Sequence, residues 1–290
     1  MTGNAFPPGL RFPTGAILGT HFIIAGTYLS QTYQSFSVWT LDLVSMTWSR
    51  IDPGSALAGS WFRSCLWPEA NKFLIFGNRH GNLVEDYNRR LLSWDHIAVI
   101  DLEAFGIYSP PPLLLDIPMQ ELGLAALEEG VLADFEIICD DGRKIPVSRK
   151  LLEDRWPWFK EQRKIFIQAA ARALEAIPSV SSPPPLPELP PGSDQEPRPD
   201  PRLTPRAFQL SEPYPISLAL MQYFYSMALI TPLQHAPAVL SQLLLLSSTY
   251  NLPHLQSLVK HAMHRALTFA TSVGIYGVST LCNCRSLQIR

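Results

Sequence analysis

Residues 132–162 read LADFEIICDDGRKIPVSRKLLEDRWPWFKEQ, and they join two short strand patterns to the start of a helical one. FEIIC alternates apolar and polar residues, DDGR follows with a glycine that is free to take a positive φ, and KIPVS reads as the return strand. Pro146 lies within that return strand, which places the strand at a sheet edge or near its own end. Pro157 interrupts the helical spacing that follows, so we expect a short helix, a break and a second helix starting near Trp158.

Further along, the chain returns to one strand and then to helices. RAFQLSE at 206–212 predicts the strand, and SLALMQYFYSMALI at 217–230 shows helical spacing of its apolar residues. Residues 236–267 predict two more helices, separated at YNLP, where Pro253 starts the second one. The predicted order is therefore hairpin, helix pair, strand and several helices, which is an α+β arrangement.

This order resembles the BTB/POZ domain over residues 130–268. The positions that carry the resemblance are Asp134, Asp141, Gly142, Pro146, Arg155, Pro157, Phe159, Tyr225, Tyr250, Leu252 and Leu255. Ser148 departs from the pattern because the family usually has His there, and Trp156 replaces a residue that is usually small. The resemblance implies an interaction module that forms a homodimer and can bind a cullin scaffold. Residues 269–290 resemble the start of a helical extension that follows many BTB domains, and we expect it to be truncated.

A proline-rich stretch separates the helix pair from the next strand. Eleven residues between Ile177 and Pro205 are proline, so this stretch cannot hold a helix or a central strand. We expect it to be a disordered or extended insertion that leaves the core at a surface loop. Its P-x-x-P spacing could also dock an aromatic groove, although a passive linker explains it as well.

The N-terminal part of the chain carries a weak repeat. FIIAG at 22–26 returns as FLIFG at 73–77, and VWTLDL at 38–43 returns as IAVIDL at 97–102. Each copy reads as an apolar strand ending in Gly, a polar loop, a strand with an Asp, and a turn. A period near fifty residues built from short strands is typical of a β-propeller blade.

The repeat resembles kelch repeats over residues 15–112, and residues 113–129 would then be a linker. The positions that carry this resemblance are Gly26, Asp42, Trp48, Gly77 and Asp101. Trp48 is expected to fill the wedge between the blades, and Ile107 or Tyr108 stands in its place in the second copy. About two blades are present where a closed propeller needs roughly four to eight, so we expect a fragment or part of a larger ring. A generic antiparallel β domain is the alternative.

The fold prediction is thus multi-domain: an all-β partial kelch-like propeller followed by an α+β BTB/POZ domain with a disordered insertion.

Composition narrows the function classes. The chain of 290 residues is 47% hydrophobic and has a net charge of −2, which gives no overall attraction to nucleic acid or to anionic membranes. The four cysteines suit reduced thiols in the cytoplasm, with the nucleus as an alternative. We find no signal peptide, no membrane-length apolar run and no catalytic motif. The pairs Cys282/Cys284 and His261/His264 lack further metal ligands nearby. We therefore expect no enzyme activity, no cofactor and no small-molecule substrate.

The two resemblances together imply a protein-interaction adaptor. The leading hypothesis is a substrate adaptor of a cullin-RING ubiquitin ligase, with partner recognition by loops 27–37 and 78–96. The candidate partner-binding residues in the second loop are Arg79, His80, Asp86, Tyr87, Arg89 and Arg90. The alternative is a signalling scaffold that regulates a small-GTPase or cell-differentiation pathway without ubiquitin transfer. A copper oxidase on a kelch-like propeller is a third class, for which only Cys65 is at hand in this segment.

Overall fold

A computed structural model describes residues 6–29, 34–52, 54, 58–90, 94–175 and 205–290. Most of the predicted insertion at 177–205 and parts of the two predicted recognition loops lie outside the described residues. The chain divides into two compact units. We call Met1–Pro111 with Leu267–Arg290 the β unit, and Pro112–Ala266 the α+β unit.

The β unit begins with a four-stranded antiparallel sheet in which each strand pairs with the next one along the chain. Its strands are β1 (Leu10–Leu18), β2 (His21–Leu29), β3 (Gln34–Asp42) and β4 (Thr47–Ile51). A three-stranded antiparallel sheet follows, with a short helix, α1, between its last two strands. Its elements are β5 (Ser60–Trp67), β6 (Lys72–Asn78), α1 (Leu83–Asn88) and β7 (His96–Asp101).

The sequence repeat corresponds to equivalent strands of the two sheets. FIIAG lies in β2 and FLIFG in β6, and each of these strands is the second of its sheet. VWTLD lies in β3 and IAVID in β7, each the third strand. The sheets differ after that point, because β4 of the first sheet is replaced in the second by a 3-10 turn at Leu102–Phe105. The two copies are therefore related in their central strands and diverge at the end.

The two sheets share one hydrophobic core. Its side chains include Ile23, Val38 and Ile51 from the first sheet and Phe73 and Ile75 from the second. Ile107, which follows the 3-10 turn, also belongs to this core and is only 1% exposed.

Trp48 lies elsewhere than expected. It is half-buried, it faces Leu41 across the β3–β4 ladder, and its ring meets the ring of Phe22 edge to face at 6.5 Å. Successive side chains of a strand point to opposite faces, and β4 places Ile51 in the shared core instead. The prediction that Trp48 fills the wedge between the two sheets is therefore wrong.

The C-terminal residues belong to the β unit, although they follow the α+β unit in sequence. They form α8 (Ser272–Leu281) and α9 (Arg285–Ile289), and α9 contacts the 3-10 turn at Leu102–Phe105. The Arg290 guanidinium lies beside Gly106. The segment is helical as expected, but the prediction that it is the start of a truncated post-BTB extension stays a prediction.

The α+β unit has a three-stranded sheet with β8 (Phe135–Ile138) at its centre. β9 (Lys144–Val147) pairs antiparallel on one side, and β10 (Ala207–Gln209) pairs parallel on the other. β9 is an edge strand, which confirms the position predicted from Pro146.

Helices pack around this sheet, and the predicted break at Pro157 is confirmed. The helices of the unit are α2 (Ile117–Glu128), α3 (Arg149–Arg155), α4 (Pro157–Glu175), α5 (Tyr214–Ser226), α6 (Pro237–Thr249) and α7 (Pro253–Ala266). α7 starts at Pro253, as predicted. α5 begins and ends earlier than the predicted span 217–230. It ends at Ser226 because Met227 takes a left-handed φ of 53°.

Residues 113–129 are not an open linker as predicted. They contain α2, which packs on α5 and begins where the Asp116 carboxylate accepts a hydrogen bond from Met119 N at 3.1 Å. A Cβ added at Gly123 would lie 2.2 Å from the carbonyl oxygen of Tyr225. Gly123 therefore allows the two helix backbones to approach each other closely.

An aromatic cluster fills the centre of the unit around Trp156, which is fully buried. The ring centroid of Trp156 lies 4.9 Å from Phe224, 5.0 Å from Tyr250 and 5.5 Å from Phe159. The departure noted at Trp156 is thus accommodated by a core of large rings around it.

Candidate interaction surfaces

The β8–β9 turn is organised by Asp141. Its side chain accepts hydrogen bonds from Arg143 N at 3.2 Å and from Arg143 Nη2 at 2.6 Å, and also from Tyr214 N at 3.3 Å. The hydrogen bonds from Arg143 hold the pKa of Asp141 below its usual value. Gly142 takes a φ of 79°, as the turn requires. One carboxylate therefore joins the hairpin turn to the first turn of α5.

Asp134 and Tyr225 hold the start of α3. The Asp134 carboxylate accepts from Arg149 N at 2.7 Å, which satisfies one of the free N–H groups in the first turn. The Tyr225 hydroxyl accepts from Ser148 N at 2.6 Å, and burial raises the pKa of that hydroxyl. Ser148 uses its backbone here, and its side chain makes no cap hydrogen bond.

Arg155 holds the end of α5. Its Nη1 donates to the carbonyl oxygens of Phe224 at 2.6 Å and Tyr225 at 2.8 Å. These carbonyls belong to the last turn of α5, whose acceptors have no partner within the helix. Leu252 and Leu255 are buried, and Tyr250 packs against Trp156. Several residues of the BTB-like pattern thus stabilise the fold, and four of the eleven are buried: Phe159, Tyr225, Leu252 and Leu255.

We predict that Tyr225→Phe lowers the free energy of unfolding by about 1–2 kcal/mol, because Ser148 N–H loses its acceptor. Urea unfolding followed by circular dichroism measures the change. Tyr276→Phe is the matched control, since Tyr276 is mostly exposed, and it should stay near zero. A Tyr225→Phe protein as stable as the parent chain would contradict the assigned hydrogen bond.

The predicted partner-binding residues surround α1 of the β unit. Asn82 caps this helix, because its side chain accepts from Val84 N at 3.0 Å and from Glu85 N at 3.3 Å. Five of the six predicted residues are exposed there: Arg79, His80, Tyr87, Arg89 and Arg90. They form a surface that is basic and carries one aromatic ring.

Asp86 is the exception to that prediction, since it is only 7% exposed. The Asp86 Oδ2 atom packs against Gly81, so closely that a Cβ added to Gly81 would clash with it. Among the described residues this oxygen has no hydrogen-bond partner. The helix periodicity explains the inward position, because Leu83 and Asp86 are three residues apart on the buried side of α1. Asp86 is therefore not available on the surface.

Tyr87 is held in place from outside the loop. Its ring lies 5.5 Å from the ring of Phe12, which in turn lies 6.3 Å from Phe62. Arg89 is tied to Glu85 by an exposed ion pair of 3.7 Å, which adds little to stability. The exposed basic side chains around α1 and the supported Tyr87 ring form one surface, which we call the α1 patch.

The Asp positions of the repeat have different local roles. The Asp42 carboxylate accepts from Val44 N at 2.9 Å and from Ser45 Oγ at 2.7 Å, and these bonds lower the pKa of Asp42. It therefore shapes the β3–β4 turn. Asp101 pairs with Lys72 across the ladder and precedes the 3-10 turn without a side-chain cap. Gly26 and Gly77 lie opposite Ser37 and His96 in equivalent ladder positions.

A second exposed surface was not predicted, because it lies in the segment read as a linker. Several large apolar side chains before and within α2 are exposed, and we call them the α2 face: Leu113, Leu114, Ile117, Met119 and Leu122. Ile117 is 63% exposed and Leu122 is 61% exposed. The signal that would have predicted a helix here is Asp116, an N-cap residue whose side chain accepts from Met119 N.

Other chemistry suggested by the sequence finds little support in the geometry. In the described ranges no group of three His, Cys, Asp or Glu side chains is placed to hold a metal ion, and this includes the surroundings of Cys65 and of His261 and His264. Among the helices that the structure describes, none is both long and apolar enough to cross a membrane.

The chain thus combines a β unit of two antiparallel sheets with an α+β unit that is rich in helices. It is similar to Protein ral2 of Schizosaccharomyces pombe, with 30% identity over 291 residues. The alignment covers 99% of this chain and 46% of ral2, so the chain spans about half the length of that relative. No protein-family profile matches the chain.

Proposed function

We propose that this chain is a non-enzymatic scaffold that brings protein partners together in a signalling pathway, acting on a small-GTPase or cell-differentiation route. In this proposal the β unit is a pair of kelch-like blades that presents the α1 patch. The α+β unit is a BTB/POZ module, and the protein acts in the cytoplasm. The observation that carries the proposal is that similarity to ral2 runs through both units, which favours a common role for them.

Physical features of the surfaces support partner binding. The α1 patch combines exposed Arg side chains with the Tyr87 ring, and Arg and Tyr are enriched where proteins bind each other. Asn82 caps α1, and the Phe12 ring of β1 packs against the Tyr87 ring. A supported loop loses little conformational entropy when a partner binds, which favours affinity.

The second candidate is a substrate adaptor of a cullin-RING ubiquitin ligase. The observation that favours it is the order of elements in the α+β unit, with the hairpin, the α3–α4 pair and β10 parallel to β8. The alignment with ral2 supports the signalling scaffold better than ubiquitin transfer.

Two experiments test the function. In the first, this chain replaces the aligned half of ral2 in S. pombe, and the chimera is expected to restore the behaviour of a strain that lacks ral2. A chimera without effect would contradict the shared signalling role. In the second, the full chain is titrated calorimetrically with the N-terminal region of a cullin, and no binding is expected. Micromolar or tighter binding would support the ligase adaptor instead.

The BTB assignment also predicts a homodimer, and the α2 face supports it. An exposed group of large apolar residues marks an interaction site on a soluble protein. We predict that Leu122→Glu converts a dimer to a monomer in light scattering, because burying an unpaired carboxylate in an apolar interface is costly. Leu281→Glu is the control, since Leu281 is also exposed but lies in the β unit. A parent chain that is monomeric at micromolar concentration would contradict the dimer.

A further inference from the structure

A groove lies in the α+β unit between α4 and the outer edge of β10. Its volume is about 430 Å³. The residues that matter for its chemistry are Phe135, Arg163, Phe166, Ala169, Ala207 and Gln209. Phe135 is buried and forms part of the lining, whereas Phe166 is half exposed. The groove is therefore mostly apolar, with one strand edge along its side.

The outer edge of β10 has no neighbouring strand in the part of the chain that the structure describes. β10 ends the order of its sheet, and it uses alternate residues to bond β8: Arg206 O accepts from Glu136 N, and Leu210 N donates to Ile138 O, both at 2.9 Å. In a parallel ladder the residues between these point their N–H and C=O groups to the opposite side. Among the described residues, the outward N–H and C=O groups of Ala207 and Gln209 have no backbone partner, and such an edge is a template for another strand.

Arg163 supplies a second, independent feature. Its side chain is only 5% exposed, and its guanidinium carbon lies 5.5 Å from the centre of the Phe135 ring. Glu153 Oε1 is 3.3 Å from Nη1 as an ion pair, yet among the described residues neither Nε nor Nη1 has a hydrogen-bond partner. Nη1 has only the ion-pair contact with Glu153 and Nε has no acceptor, which is costly for a buried guanidinium, so the site favours a ligand that brings a further acceptor.

We infer that this groove binds an extended segment of a partner protein by strand addition to β10. The segment pairs its backbone with Ala207 and Gln209, and places an apolar side chain against Phe166. A carboxylate side chain of the segment lies towards Arg163. The strand edge selects an extended peptide over a helix, and the Arg163 guanidinium, whose Nε lacks an acceptor among the described residues, selects an acidic one. The inference goes beyond the proposed function and does not depend on the BTB assignment.

The test uses a phage-displayed library of random 12-residue peptides selected on the immobilised full chain. The selected peptides are synthesised, and their binding is measured by fluorescence anisotropy. We expect them to share an apolar residue and an acidic residue within an extended pattern. Gln209→Pro removes the free N–H without touching the ladder to β8, and Ala169→Arg fills the groove from α4. Each should weaken binding about tenfold or more.

The matched control is Gln168→Arg, which adds the same side chain at an exposed neighbouring position outside the groove. It should leave the dissociation constant unchanged. Arg163→Met is expected to remove the preference for acidic peptides. Circular dichroism verifies that each variant is folded, and Ala169→Arg tests the groove even if Gln209→Pro does not fold.

Three outcomes overturn the inference. The first is a selection that yields no binding peptide, and the second is a set of peptides that bind the parent chain and Ala169→Arg equally well. The third is a dimer that Gln209→Pro dissociates while Leu122→Glu does not, because β10 would then pair with β10 of a second copy.

Discussion

Trp156→Ala is expected to lower the free energy of unfolding of the α+β unit by about 3–5 kcal/mol. The indole is fully buried, and four aromatic rings lie within 5.6 Å of it between centroids. Alanine would remove these contacts and leave a cavity that the fixed backbones of α3 and α5 cannot close. Urea unfolding followed by circular dichroism at 222 nm measures the loss.

Trp156→Phe is the control for that experiment. A phenyl ring keeps part of the stacking, and it also removes Nε1, which has no hydrogen-bond partner among the described residues. We therefore expect a loss of less than half that of alanine. A similar loss for both variants would mean that the position depends on the indole itself. A negligible loss for alanine would contradict the central place of Trp156 in the core.

Gly123→Ala is expected to destabilise the same unit by about 1–3 kcal/mol. A Cβ at this position would lie 2.2 Å from the Tyr225 carbonyl oxygen and 2.8 Å from its carbonyl carbon. Both atoms belong to the backbone of α5, so α2 would have to move away as a whole. The same denaturation measurement tests the prediction, and increased proteolysis within residues 113–129 should accompany it.

Gly277→Ala is a matched control, because it is the same substitution in a helix. A Cβ at Gly277 would meet nothing within 4 Å. Alanine has a higher helix propensity than glycine, so this variant should be unchanged or more stable by up to about 1 kcal/mol. If Gly123→Ala were equally neutral, the close contact between α2 and α5 would be wrong.

The sequence predicted the elements whose signals are local. Gly142 and Pro146 identified the turn and the edge strand, and Pro157 and Pro253 identified two helix starts. Each of these residues restricts the backbone by its own covalent structure, so the neighbours in space matter little.

Features set by tertiary contacts were missed. α2 buries Gln120 and Leu127 and exposes Leu122, so its apolar residues do not follow one side of the helix. No periodic pattern therefore distinguished it from a linker. Of the predicted partner-binding residues, Asp86 alone is buried, because its place depends on the packing of α1 against the sheet. Likewise, the sequence did not predict which face of β4 packs into the shared core, and that choice decides which way the Trp48 side chain points.

The β unit is assembled from two stretches of chain that lie on either side of the α+β unit in sequence. During synthesis the α+β unit leaves the ribosome as one continuous stretch and can fold at once, since domains fold as units while the chain is made. The strands of residues 10–107 emerge before the α+β unit, but they meet α8 and α9 only after the whole α+β unit has been made. We therefore expect the β unit to mature after the α+β unit, although its strands are made before that unit, and to depend on chaperones in the interval.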